Sequence, residues 1–198
     1  MANREERGEE QVIIAGFGGQ GILFAGRLLT YAAMREGKQV TWFPSYGGAM
    51  RGGTANCSVI ISSEEIGSPL ISHPNALVVM NTPSLDKFES VVQKNGCIVW
   101  NSSLINRRLS RIDIKAIGVP ANEIAKKSGG EQAANMVMLG AYVAQSNVVS
   151  LSSLQRSLKE VLRESRYHLL PVDKKALEEG TRCGLSSLPK YSSDEGNK

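Results

Sequence analysis

A chain of 198 residues with 41% hydrophobic and 21% charged side chains has the size and composition of one soluble globular domain. Its net charge of +4 is scattered: the densest basic group, Arg107, Arg108 and Arg111, reads as a solvated turn. The few aromatics are not interleaved with basic residues as a nucleic-acid platform requires, no apolar run approaches the ~18 residues of a membrane span, and Met1–Gln11 lacks the apolar stretch of a signal peptide, so the expectation is a cytoplasmic protein that binds neither nucleic acid nor membrane.

The alternation of apolar runs and helical periodicities predicts an α/β protein. Val12-Ile13-Ile14-Ala15 reads as a buried strand that ends at a glycine loop, Gly16-Phe17-Gly18-Gly19-Gln20-Gly21. Apolar residues at Ile22, Ala25, Leu28, Leu29, Ala32 and Ala33 mark a helix stopped by Gly37. Val40-Thr41-Trp42-Phe43 is a second strand, closed by Pro44; residues 56–62 are a third, whose Val59-Ile60-Ile61 run suggests burial on both faces, as in a mostly parallel sheet. Residues 76–80 and 97–100 are further strands, ending at Asn81-Thr82-Pro83-Ser84 and Asn101-Ser102-Ser103, with a short helix over 85–93 between them. Residues 112–119 form another strand, Pro120 opens a helix, residues 133–144 are apolar nearly all round and so form a buried helix, Ser150 or Ser152 caps the next helix, and residues 173–179 form a short last helix ending at Gly180. The expected architecture is a single three-layer, Rossmann-like sandwich with a mostly parallel sheet: residues 1–10 a charged N-terminal segment, 11–183 the domain, 184–198 a polar flexible tail.

Gly16-x-Gly18-x-x-Gly21 after a strand and before a helix is the setting in which such glycines serve phosphate binding, through a tight turn, close backbone approach and the unpaired N–H groups of the helix start. A dinucleotide site further needs an acidic residue at the end of the second strand, about 20 residues on, for the ribose. That strand ends at Phe43-Pro44-Ser45, and Glu36 stands at its other end. A free-standing NAD protein is therefore disfavoured, leaving the phosphate arm of another ligand, or chain packing and a subunit contact.

The second glycine loop is Ser45-Tyr46-Gly47-Gly48-Ala49-Met50-Arg51-Gly52-Gly53-Thr54. Its glycines leave bare backbone around one guanidinium fork, which suits a phosphate, a carboxylate, or an acidic neighbour on this or a partner chain. The three cysteines, Cys57, Cys97 and Cys183, are widely spaced and form no Cys-x-x-Cys pair, so the chain by itself holds neither an iron–sulfur cluster nor a structural zinc. Cys57 and Cys97 read as small buried hydrophobes, and His73 and His168 are isolated.

Gly-Phe-Gly-Gly-Gln-Gly, followed by Pro44-Ser45-Tyr46-Gly47 and Arg51-Gly52-Gly53-Thr54, resembles the gamma subunit of 2-oxoacid:ferredoxin oxidoreductases, as do Met80-Asn81-Thr82-Pro83-Ser84-Leu85-Asp86-Lys87-Phe88 and Ala134-Asn135-Met136-Val137-Met138-Leu139-Gly140. The similarity runs from about Gln11 to Gly180 and looks closest to the 2-oxoglutarate and 2-oxoisovalerate enzymes. It implies a complex with alpha and beta chains, and a delta chain where there is one. The complex uses thiamine diphosphate, magnesium, [4Fe-4S] clusters and coenzyme A, and passes electrons to ferredoxin; no cofactor is held by this chain alone. The resemblance makes this chain a non-catalytic but required subunit that closes over the active site and helps bind coenzyme A, or one that serves assembly only. The candidate binding residues are Gly16, Gly18, Gly19, Gln20, Gly21, Ser45, Tyr46, Gly47, Arg51, Gly52, Gly53, Thr54 and Asn81. Family members often carry a glutamate where this chain has Ala49, so a charge partner for Arg51 within the loop is missing.

Overall fold

A computed structural model describes residues 8–46 and 54–186. Within them, six strands form one sheet in the order β2-β3-β1-β4-β5-β6: β1 (Glu9–Phe17), β2 (Gln39–Tyr46), β3 (Thr54–Ser62), β4 (Ala76–Val79), β5 (Cys97–Asn101) and β6 (Lys115–Val119). β3 runs antiparallel to both β1 and β2, while β1, β4, β5 and β6 pair in parallel. The expected three-layer α/β sandwich with a mostly parallel sheet is thus the observed fold, with one correction. The Val59-Ile60-Ile61 run belongs to the antiparallel strand. Its three residues are at most 2% exposed, so the run reports burial between two neighbours rather than strand direction.

Strand alternation divides the core between the two faces of the sheet. Val12, Ile14, Val59, Ile61, Val78, Val99 and Ile117 face a thick helical layer, made of α1 (Ile22–Arg35), α3 (Ala121–Ser128), α4 (Ala134–Ser146), α5 (Leu151–Val161) and α6 (Leu170–Ser186). Ile13, Ala15, Leu77, Val79 and Ile98 face a thin layer built on α2 (Thr82–Phe88) and the 3-10 turn after it. Residues 134–145 are all buried, as the nearly continuous apolar pattern of residues 133–144 predicted. Ser150 Oγ accepts from Ser153 N at 3.1 Å and is the cap of α5.

Several element boundaries differ from those predicted: β3 begins at Thr54 rather than 56, α2 at Thr82 rather than 85, and β6 at Lys115 rather than 112, and three further shifts have a clear physical setting. β2 does not stop at Pro44 but continues to Tyr46, with Pro44 paired to Cys57; β2 is an edge strand, where a missing N–H can face away from the ladder. β1 extends through Gly16 to Phe17, so the first motif glycine lies inside the strand. The last helix spans Leu170–Ser186 rather than 173–179, passing through Gly180 and Gly184, both of which sit tight against the backbone of α4.

Candidate functional site

The carboxyl ends of β1, β2 and β4 and the start of β3 lie along one edge of the sheet. Phe17 is register partner to Thr54, and Tyr46 to Ala55. The two glycine segments therefore leave neighbouring strands at the same level, although they are well separated in sequence. Met80 N donates to Ala15 O at 2.9 Å, which brings Asn81 to the same edge. Here the chain also changes sides: β1 leads into α1 on the thick layer, β4 into α2 on the thin one. In open α/β sheets such a switch point opens a crevice where ligands bind.

The first loop is held from within. Gln20 N donates to Phe17 O at 3.1 Å, and Phe17 N returns a bond to Gln20 Oε1 at 2.7 Å. Gln20 is thus a strut of the turn, with its amide oxygen already committed, a role that sequence reasoning did not assign. Gly16 has no room for a side chain, since a Cβ would stand 2.6 Å from Ile22 Cδ1 and 2.9 Å from Met80 Cβ. Gly21 is the N-cap of α1 at φ 73°, left-handed backbone that favours glycine. Asn135 Nδ2 donates to Gly21 O at 3.1 Å, and any Cβ on Gly21 would run into that amide. No side chain caps α1, and its first turn carries no acidic residue. Its first N–H groups, with the positive end of the helix dipole, therefore face the edge without an anionic partner from their own helix.

Asn81 is 3% exposed. Its Oδ1 accepts from Ser84 N at 2.9 Å and caps α2, while Nδ2 is buried with no hydrogen-bond partner. Ser84 Oγ in turn donates to Gly16 O at 3.5 Å, tying the two loops' supports together. Asn101, which ends β5, is fully buried and structural: Oδ1 accepts from Ser103 N and Ala121 N, and Nδ2 donates to Asn122 Oδ1 at 2.8 Å.

The structure thus brings Gly16, Gly18, Gly19, Gln20, Gly21, Ser45, Thr54 and Asn81 to one edge, together with the backbone of Tyr46. Gly47, Arg51, Gly52 and Gly53 lie outside the described residues. Asn135 and Ser84 are contributors the sequence reading did not single out as site residues; the signal available for Asn135 was a polar residue within an otherwise apolar helix.

The other chemically conspicuous residues lie elsewhere. Arg107 pairs with Asp86 and with Glu89, at 2.8 and 2.6 Å, and Arg111 with Asp113 at 2.6 Å, so two members of the basic cluster are engaged within the chain. Burial opposes the charge on Glu89, but hydrogen bonds from Arg107, Ser110 and Arg111 outweigh it and hold the carboxyl below its ordinary range. Cys57 is a core residue whose thiol is pushed up to about 12 by burial. Cys97 departs from the expected buried hydrophobe: it is only half-buried, at the amino end of β5. Among the described residues no group of three or more His, Cys, Asp or Glu side chains could hold a metal ion, and no helix is long and apolar enough to cross a membrane.

The profile of the pyruvate ferredoxin/flavodoxin oxidoreductase family matches residues 11–183. The chain is 41% identical over 184 residues to ketoisovalerate oxidoreductase subunit VorA of Methanothermobacter thermautotrophicus, covering 91% of this chain and 37% of that protein; it thus spans little more than a third of that relative's length. It is 30% identical over 161 residues to 2-oxoglutarate synthase subunit KorC of Methanocaldococcus jannaschii, covering 80% of this chain and 86% of that one. Among solved structures, the gamma subunit of a keto/oxoacid ferredoxin oxidoreductase from Geobacter sulfurreducens PCA matches with a TM-score of 0.78 and 28% identity, over 91% of this chain and 98% of that chain.

Proposed function

The chain belongs to the pyruvate ferredoxin/flavodoxin oxidoreductase family, and on that premise we propose that it is the gamma-type subunit of a multi-subunit 2-oxoacid:ferredoxin oxidoreductase. The activity of the whole complex is the oxidative decarboxylation of a 2-oxoacid: the acid and coenzyme A yield acyl-coenzyme A, carbon dioxide and a proton, and two ferredoxins each take one electron. We place the complex in the cytoplasm, with alpha and beta chains, and a delta chain where there is one, as partners. 2-Oxoglutarate is the acid favoured by the likeness to KorC, a relative matched over most of its length. A second reading, 2-oxoisovalerate, is favoured by the higher identity to VorA.

The described residues do not fit an iron–sulfur cluster or another metal site. Cys57 is buried with a thiol raised to about 12, which opposes the thiolate a metal ligand needs, and the described residues offer no ligand cluster. Thiamine diphosphate, magnesium and the [4Fe-4S] clusters belong to the partner chains on this proposal. The part of this chain is to close the cleft and meet coenzyme A. The observation that carries the proposal is the convergence at the switch point: the uncapped start of α1, the glycine backbone around Gly18 and Gly19, and the buried, unpartnered Nδ2 of Asn81. The uncapped first N–H groups of α1 and Asn81 Nδ2 are donors without acceptors among the described residues, which is what an anionic, oxygen-rich ligand requires. Arg51, with Gly47, Gly52 and Gly53 around it, adds a guanidinium for a phosphate of coenzyme A.

In the assembled enzyme, Arg51→Ala should raise the Michaelis constant for coenzyme A about tenfold, the loss of one charge-assisted contact, with the subunits still assembled. A variant that still assembles with an unchanged constant would contradict the ligand role, and a variant that no longer assembles would favour a purely structural subunit.

A further inference from the structure

A cavity of about 440 Å³ lies at the opposite, amino-terminal edge of the sheet, away from the glycine loops, within the size range of small-molecule sites. Its wall includes Glu10, Asn75, Cys97, Lys115 and Tyr142, with Lys38 at one side. Strand parity explains the grouping. Glu10 lies on the same face as Val12 and Ile14, Cys97 on that of Val99, and Lys115 on that of Ile117, so all three point beneath the thick helical layer, where α4 ends.

The cavity has a negative pole with a built carboxylate. Tyr142, fully buried on α4, donates its hydroxyl to Glu10 Oε1 at 2.9 Å. Asn75, 8% exposed, donates Nδ2 to Glu10 Oε2 at 3.2 Å and is itself fixed by accepting from Gln11 N at 2.7 Å. Desolvation, together with the charge of Glu10 and its hydrogen bond, pushes the Tyr142 hydroxyl well above its ordinary range, so it stays a donor. The carboxyl end of α4, Gln145 to Ser146, forms part of the same wall and has no basic residue in its last turn, so the negative end of its dipole adds to Glu10.

The cavity also has a positive pole. Lys115 is half-buried on β6 and makes no ion pair or side-chain hydrogen bond among the described residues. By contrast, Lys38 is tied down, donating to Val148 O and pairing with Glu36 at 3.4 Å. β1 and β6 are three strand spacings apart, about 14 Å, and Glu10 and Lys115 both line the cavity between them.

We propose that this cavity binds a free amino acid, its ammonium group on Glu10 beside the end of α4 and its carboxylate on Lys115. Amino acids share their carbon skeletons with 2-oxoacids, so such a site would let the level of the aminated product act on an enzyme that consumes the oxoacid. The binding itself does not depend on that reading of the enzyme.

The test is calorimetric titration of the full chain with the panel of standard amino acids. It is repeated for the tightest binder with the matching 2-oxoacid, which lacks the ammonium, and the matching amine, which lacks the carboxylate. At least one amino acid should bind, and each single-ended analogue should bind about tenfold weaker or worse. Glu10→Gln keeps an acceptor for Tyr142 and should weaken binding about tenfold, as should Lys115→Met. Arg51→Ala should leave it unchanged, which separates this site from the coenzyme A proposal. No binding by any amino acid at about 10 mM, a concentration that detects even millimolar affinity, would overturn the inference. So would equal binding of a single-ended analogue to the wild-type chain, a comparison that does not depend on any variant folding.

Discussion

The two edges of this sheet are built on opposite plans. At the carboxyl edge the chain removes side chains: Gly16 and Gly21 have no space for a Cβ, and α1 begins without a cap. At the amino edge it adds them: Tyr142 and Asn75 both donate to the Glu10 carboxylate beside a cavity. A surface of bare backbone donors is suited to something that approaches closely and brings its own acceptors. A cavity walled by charged and polar side chains selects what enters it by charge. The contrast teaches that one edge of this fold offers bare backbone, whereas the other surrounds a cavity with polar and charged side chains.

The largest break in this comparison is expected at the carboxyl edge from adding a side chain. Gly21→Val puts a β-branched residue at φ 73° and drives its Cβ into Asn135, which should cost on the order of 3–4 kcal/mol and appear as a much lower melting temperature. Combining it with Asn135→Ala should recover only the steric part, leaving the backbone strain. At the amino edge the break comes from deletion. Tyr142→Phe takes one buried donor from Glu10 and should cost about 1–3 kcal/mol in denaturant unfolding, while leaving the coenzyme A dependence of the assembled enzyme unchanged. A smaller effect, in the helical layer that joins the edges, calibrates both. Burial raises the Asp173 carboxyl from 3.8 to about 6. Because the folded state holds this proton more tightly than the unfolded chain, the contribution is fully present below pH 3.8 and is lost as pH rises towards 6. Asp173→Asn should therefore stabilise the chain by on the order of 1 kcal/mol at pH 7 and do nothing near pH 3.5, as read from melting curves across that range.

Much of this architecture was legible because it rests on periodicity. The buried helix α4, the capping serine of α5 and the alternation of strands and helices follow from which residues repeat at which spacing. What escaped depends on neighbours. Pro44 looked like a strand end because proline breaks a ladder, but it sits on an edge strand where one side of the ladder is empty. The direction of β3 was hidden for a similar reason: Val59, Ile60 and Ile61 are apolar because strands and layers surround them, and burial carries no sign of direction. The candidate site divides the same way. The glycines and Asn81 were visible as motif residues, and register then placed them together. Gln20 and Asn135 act through contacts three and 114 residues away along the chain, and only the folded geometry assigns them. The amino-edge cavity gave no motif at all, because Glu10, Asn75, Lys115 and Tyr142 are single residues on three different elements and the bend before β4.

The central claim is that this chain completes an oxoacid oxidoreductase by presenting its glycine edge to a shared cleft. Its most direct test is to purify the native complex through a tag on this chain and identify the co-purifying subunits. Oxoacid-dependent reduction of a viologen dye is then measured with and without coenzyme A, before and after this chain is stripped and added back. The account predicts co-purifying alpha- and beta-type subunits and a coenzyme A-dependent activity that falls when the chain is removed and returns when it is restored. A chain that purifies alone and binds NAD(H), or a complex whose activity is indifferent to its removal, would contradict it.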